Sequence, residues 1–131
     1  MEITISIHQT DDPVAIMHIT GAIDASNIVG MVNKAQEIYK NPARNLIIDL
    51  SDVPYISSAG LVAIHKIALH YSGVHQEVEE KSRPDFTHSQ DARKRVKLLK
   101  PQPGVAETLE TTGMKFFFKV FDDLDSALKS F

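Results

Sequence analysis

Cysteine is absent from the 131 residues, which excludes disulfides, thiol nucleophiles and thiolate metal sites and leaves the redox compartment open. Long apolar runs are absent too. No stretch approaches the roughly 18 residues of a membrane span, and the N-terminal MEITISIHQTDDP alternates instead of forming a signal peptide's apolar centre. Excess charge of either sign is lacking. With a formal net charge of -3, the overall field implies neither direct nucleic-acid binding nor membrane insertion or attraction. A cytoplasmic protein is the expectation.

Patterns for catalysis or metal binding are equally thin. A nucleophile elbow wants glycine two residues to either side of its serine. Here Ser57 and Ser58 are flanked by Ile56 and Ala59, with glycine only at position 60. Gly60 stands alone and no Walker lysine follows it, so no phosphate cradle is present. There are six histidines. His65 and His70 lie five apart on a predicted helix, on different faces, and His70, His75 and His88 have no compact ligand spacing. No enzyme, metal or cofactor is expected. His18, inside a strongly apolar strand, reads as a satisfied inward or interface side chain and not as a general base.

What the sequence does contain is an alternation of short apolar elements. Ile3, Ile5 and Ile7 alternate with polar residues, the period of a strand with one buried face. After the Asp11-Asp12-Pro13 turn, VAIMHIT (14–20) is nearly continuously apolar and predicts a more central strand, hairpin-paired to the first. From Ala25 to Lys40 the residues Ile28, Met31, Val32, Ala35, Ile38 and Tyr39 recur at helical spacing, with Asp24 and Ser26 as candidate caps. NLIIDL (45–50) predicts a buried strand, parallel because a helix has just crossed over. Leu61, Ile64, Ile67 or Ala68, and Tyr71 mark a second helix.

Residues 74–92 (VHQEVEEKSRPDFTHSQDA) lose apolar periodicity and predict a polar insertion. VKLLK (96–100) resumes as a strand, and Val105–Thr112 forms a short helix stopped by Gly113. FFFKVF (116–121) predicts another strand, and Asp122 caps a last helix carrying Leu124, Ala127, Leu128 and Phe131 on one face. One domain, 1–131, of α/β class follows, because single strands separated by helices build layers and not a sandwich.

Two serines stand where the third strand gives way to the second helix, in YISSAGL (55–61). One reading is capping: a hydroxyl at the N-cap accepts an otherwise orphan N–H, worth about 1 kcal/mol. The other is modification. A phosphate on a first-turn serine would bring a charge of roughly -1.5 to -2 beside free N–H groups and the positive helix end. The fold would tolerate it, while a docked partner would not.

The run DLSDVPYISSAGLVAIHKI (49–67) closely resembles the signature of the STAS domain, in particular that of bacterial anti-sigma factor antagonists. ITGAIDASN (19–27) resembles the family's second-strand-to-first-helix corner. VKLLKPQPGVAETLETTGM (96–114) and FKVFDDLDSALKSF are similar to its fourth strand, its glycine-closed helix, its last strand and its closing helix. The resemblance implies a mixed five-stranded sheet with about four helices, in the order ββαβαβαβα that periodicity also suggests.

It further implies an anti-sigma factor antagonist that docks on an anti-sigma factor, itself a GHKL-type serine kinase, and is switched off by serine phosphorylation. The modified residue maps onto Ser58, with Ser57 the second choice. Asp24, Ser57, Ser58, Ala59 and Gly60 map onto the partner-binding surface, and Asp49 and Asp52 onto acidic positions at the end of the third strand. Here Ser57 stands where the family often has aspartate, and Ala59 where it has a second hydroxyl. The alternative is a STAS adaptor or scaffold subunit, of a signalling complex or an ABC-type transport system, without a phosphoswitch. The insertion at 74–92 is this chain's main departure from compact family members.

Overall fold

The structure, a computed structural model, describes residues 1–9, 12–40, 43–71, 95–114 and 117–131. Its elements run β1 (Glu2–His8), β2 (Val14–Thr20), α1 (Ile28–Lys40), β3 (Asn45–Asp52), α2 (Ser58–Tyr71), β4 (Val96–Leu99), α3 (Pro103–Thr111), β5 (Lys119–Phe121) and α4 (Leu124–Lys129). They form one five-stranded sheet in the order β1-β2-β3-β4-β5. β1 and β2 are antiparallel, as a short hairpin turn requires. β2–β3, β3–β4 and β4–β5 are parallel, as helical crossovers require. The α/β class, the mixed sheet and the element order all agree with expectation.

The two faces of the sheet are covered unequally. On one face the main core gathers Met17, Ile19, Ile48 and Leu50 from the sheet with Met31 and Ala35 of α1, Ile64 and Ile67 of α2 and Val105 of α3. α1 and α2 are stapled together by the Tyr71 hydroxyl, which donates to the Ala35 carbonyl at 2.7 Å. Tyr39 packs edge-on against both His70 and Tyr71. Burial pushes the Tyr71 phenol well above its ordinary value, so it remains a donor. Among the described residues, the short α4 is the element that packs on the opposite face, over Val14, Ile47 and Leu99. Toward β1 that second face carries Thr4 and Ser6, both exposed.

Three local expectations are corrected. α1 begins at Ile28, three residues later than its apolar spacing suggests, and neither Asp24 nor Ser26 caps it. Asn27 occupies the cap position, its carbonyl accepting from Met31 N–H. The strand expected over 116–121 shrinks to Lys119–Phe121, with Phe118 buried at its entrance as part of the main core. The last helix is capped by Asp123, whose carboxylate accepts the Ser126 N–H at 2.8 Å, and not by Asp122. Gly113 does adopt the left-handed conformation, with φ of 76°, that ends α3. The insertion at about 74–92 lies outside the described residues.

Candidate functional site

Two stretches far apart in sequence are stitched together at the C-terminal end of the sheet. Ile23 and Ile56 form a parallel bridge. Ile23 N–H donates to Tyr55 O at 3.0 Å, and Ser57 N–H donates to Ile23 O at 2.9 Å. Both isoleucines are buried, so the bridge anchors the turn after β2 against the start of α2. Gly60 makes the close approach possible. A Cβ there would stand 2.8 Å from both Ile23 Cγ2 and Ile56 Cγ1, and 3.1 Å from Ile23 O.

The two serines divide the tasks that sequence leaves joined. Ser57 precedes α2, and its hydroxyl oxygen accepts the Gly60 N–H at 3.1 Å while its carbonyl accepts the Leu61 N–H. That is an N-cap. Ser58 is the first helical residue and is exposed. Its hydroxyl stands at the positive end of a 14-residue helix, where the first N–H groups lack intrahelical partners.

The other expected site residues cluster around these two. Ala59 is half-buried, while Gly60 is buried and works through packing. Asp24 sits one residue beyond the Ile23 bridge. Its carboxylate accepts from the Ser26 hydroxyl and the Ser26 N–H, bonds that hold its pKa below the usual carboxylate value. Its own N–H donates to Asn27 Oδ1, and Asn27 Nδ2 donates to Ala22 O. Asp24 thus builds the corner and leaves a carboxylate edge facing outward.

Beside Ser58 a shallow groove of ≈ 200 Å³ runs between α1 and α2, lined by Ile28, Val29, Val32, Ala59, Val62 and Lys66 among others. Val29 and Val62 are 68% and 56% exposed, and Tyr55, just before the serines, is 58% exposed. Val29 and Val62, both exposed and lining one groove from two helices, make a surface suited to contact with another protein.

One constellation escaped the sequence reading. His18 on β2 is clamped by two carboxylates, with Nδ1 2.8 Å from Asp49 Oδ2 and Nε2 2.8 Å from Asp52 Oδ2. The hydrogen bond to Asp49 is the main reason the imidazole pKa lies above 6.5; partial burial opposes it, and the charge of Asp49 and the Asp52 contact add to it. For Asp49, partial burial pushes upward, but bonds from His18 and Ser51 outweigh it and hold the carboxyl below 3.8. A signal for half of this was present. His18 is the fifth residue of β2 and Asp49 the fifth of β3, and parallel strands in that register set them side by side.

Among the described residues no group of three or more His, Cys, Asp or Glu side chains could hold a metal ion. No helix among them is long and apolar enough to cross a membrane.

No curated protein matches the chain. Solved structures do, across almost the whole length. A Thermotoga maritima protein named as a candidate anti-sigma factor antagonist superposes with a TM-score of 0.70 at 19% identity, over 95% of this chain and 92% of that one. An anti-sigma factor antagonist from Mycobacterium paratuberculosis gives 0.67 at 20% identity, over 98% and 93%. The phosphorylated form of the Bacillus cell fate determinant SpoIIAA gives 0.57 at 10% identity, over 96% and 97%. At such identities the likeness is one of fold. The family model for the STAS domain matches residues 4–78, which run from β1 through the Ile23–Ile56 bridge and all of α2. More than half of the sequence thus fits that pattern, and the chain belongs to the STAS domain family.

Proposed function

We propose that this STAS domain is an anti-sigma factor antagonist, which docks on an anti-sigma factor serine kinase when unmodified and is released when Ser58 is phosphorylated. The observation carrying this reading is the division of labour at the start of α2. Ser57 is committed to capping, and Ser58 is exposed at the first helical position beside the α1–α2 groove. A phosphate on Ser58 would be stabilised locally by the helix N-terminus. The same dianion would carry its hydration to the edge of the groove where Val29 and Val62 are exposed, and burying it unpaired under a docked partner is costly. The switch therefore needs no change of fold. Asp24, Ser57, Ala59 and Gly60 serve it differently: Asp24 and Ala59 offer surface, while Ser57 and Gly60 hold Ser58 in place.

The experiment is incubation with GHKL-type serine kinases and ATP, with the phosphate located by mass spectrometry, beside partner binding by S58A and S58D. Phosphate is expected on Ser58, with S58A binding constitutively and S58D weakly. Equal binding by the two folded variants, or no phosphate on Ser58 from any such kinase, refutes the switch.

A further inference from the structure

The His18 clamp lies on the second face of the sheet, away from the α1–α2 groove, and nothing in the proposed switch requires it. Its geometry carries its own chemistry. A neutral imidazole has one N–H and one lone pair, so it can donate to one carboxylate only. Here both ring nitrogens stand 2.8 Å from carboxylate oxygens. With the ring neutral, one nitrogen's lone pair would face an anionic oxygen at hydrogen-bonding distance. Both contacts are satisfied together only by the imidazolium, which donates twice.

The clamp also joins two different segments. Asp49 is the register partner of His18 inside the sheet. Asp52 ends β3 and begins the connection to the serines. Three residues apart on a regular strand, the two aspartates would point to opposite faces. The register between β2 and β3 slips by one between His18↔Asp49 and Thr20↔Asp52, and this bulge returns Asp52 to the face of His18. The connection it enters is tied down at Gly21 N–H to Asp52 O (3.0 Å), Gln102 Nε2 to Ser51 O (2.9 Å) and Ile23 N–H to Tyr55 O.

We propose that His18 is a protonation-dependent tether for the β3–α2 connection, closed while the ring is an imidazolium bridging Asp49 and Asp52, and opened at Asp52 when the proton leaves. On deprotonation the remaining N–H stays with Asp49, the more buried partner, and the Asp52 side chain, 59% exposed, turns to water. The connection 52–57 loses its tie to the His18 ring, and the start of α2 keeps the Ser57 cap, the Ile23–Ile56 packing and the bonds from Gly21, Ile23 and Gln102. The elevated pKa of the imidazole agrees with this reading.

Among the described residues the charges around the ring are few. From β3 come Asp49 and Asp52. From β1 comes Thr4 opposite the ring, with Glu2 and His8 farther along the same strand and face, opposite Thr20 and Val14. Beyond Asp49, β4 presents Leu99 in register, followed by Lys100, with the buried Lys97 one pair earlier beside Ile47. On α4, which covers the far end of this face, Asp125 and Lys129 pair with each other at 2.9 Å.

The test is an NMR pH titration of the full chain, following the His18 ring and the backbone amides of residues 52, 53 and 55–58, Pro54 having none. In the wild type the ring is expected to titrate with a midpoint above 6.5, and those amides to shift with the same midpoint. In D52N the amide side chain can donate to the ring's lone pair, so the midpoint falls and the loop amides lose most of their response. In H18Q the loop response at that midpoint disappears. The exposed D52N site keeps the test valid should H18Q fold poorly. A His18 midpoint at or below 6.5, or loop amides indifferent to it in the wild type, overturns the tether. Neither result bears on whether Ser58 is phosphorylated.

Discussion

Adding a single methyl group to each of two glycines separates the packing of the site from intrinsic helix preference. Gly30 and Gly60 occupy the same position, the third residue, of α1 and α2 respectively. Replacement by alanine gives each helix the same intrinsic gain, at most about 1 kcal/mol and less this near a helix end. Around Gly30 a new Cβ meets nothing within 4 Å. Around Gly60 it meets two isoleucine methyl or methylene carbons at 2.8 Å and a backbone oxygen at 3.1 Å. Ile23 and Ile56 are 0% and 2% exposed, so neither has room to withdraw.

Overpacking of this kind costs about 1–3 kcal/mol, which exceeds the propensity gain. G30A is therefore expected to be stabilising by about 0.5 kcal/mol and G60A destabilising by about 1–2 kcal/mol. At roughly 4 °C per kcal/mol for a chain of this size, the two Tm values should part by about 6–10 °C in opposite directions from wild type. Urea denaturation of both proteins, followed by circular dichroism, gives the comparison with equal m-values as a check on cooperativity. A G60A protein as stable as G30A would refute the claim that the Ile23–Ile56 bridge leaves no space beneath α2.

Further expectations follow from the same geometry. S57A, which removes the cap on Gly60 N–H, should cost about 1 kcal/mol, whereas S58A should lie within about 0.5 kcal/mol of wild type; chemical denaturation distinguishes them, and the reverse order would mean the serines have exchanged roles. S58D should fold and be as stable as wild type or better by about 0.3–1 kcal/mol at low salt, since its charge meets the positive helix end. Y71F removes the bond to the Ala35 carbonyl between α1 and α2 and should lose about 1 kcal/mol without altering the fold, measurable as a lower urea midpoint. The advantage of wild type over D49N should depend on pH in a defined way. The raised His18 pKa contributes stability fully present below 6.5 and lost as pH climbs through its folded value. The lowered Asp49 pKa contributes stability present above 3.8 and lost as pH falls through its folded value. Urea midpoints should therefore differ most between about pH 4 and 6.5 and draw closer, without meeting, as pH rises through the folded pKa of His18, because the Ser51 bond to Asp49 remains; a gap independent of pH would contradict the ion pairing.

Much of this architecture was readable from residue periodicity because each element buries one face. Ile3 and Ile5 alternate toward the main core, VAIMHIT and NLIIDL are continuously apolar since both faces are covered in part, and α1 repeats at helical spacing through Met31, Ala35 and Ile38. Boundaries were less legible. Asp24, Ser26 and Asn27 are all competent caps, and only the turn that carries the chain past the Ile23 bridge selects Asn27. The aromatic run before Phe121 reads as a strand by propensity, yet β4 presents only four residues, of which Lys97 to Leu99 pair with β5. Partner length overrides preference.

By itself the sequence determined the order ββαβαβαβα, the hairpin start, and the presence of two hydroxyls at the mouth of α2, because these depend on local spacing and turn chemistry. Tertiary structure alone decided which hydroxyl caps and which stands in water, since that follows from where the Ile23 bridge holds Ser57. It also decided that His18 meets both Asp49 and Asp52. Strand alternation separates those aspartates onto opposite faces, and a one-residue bulge against a neighbouring strand, invisible to any local pattern, brings them back together.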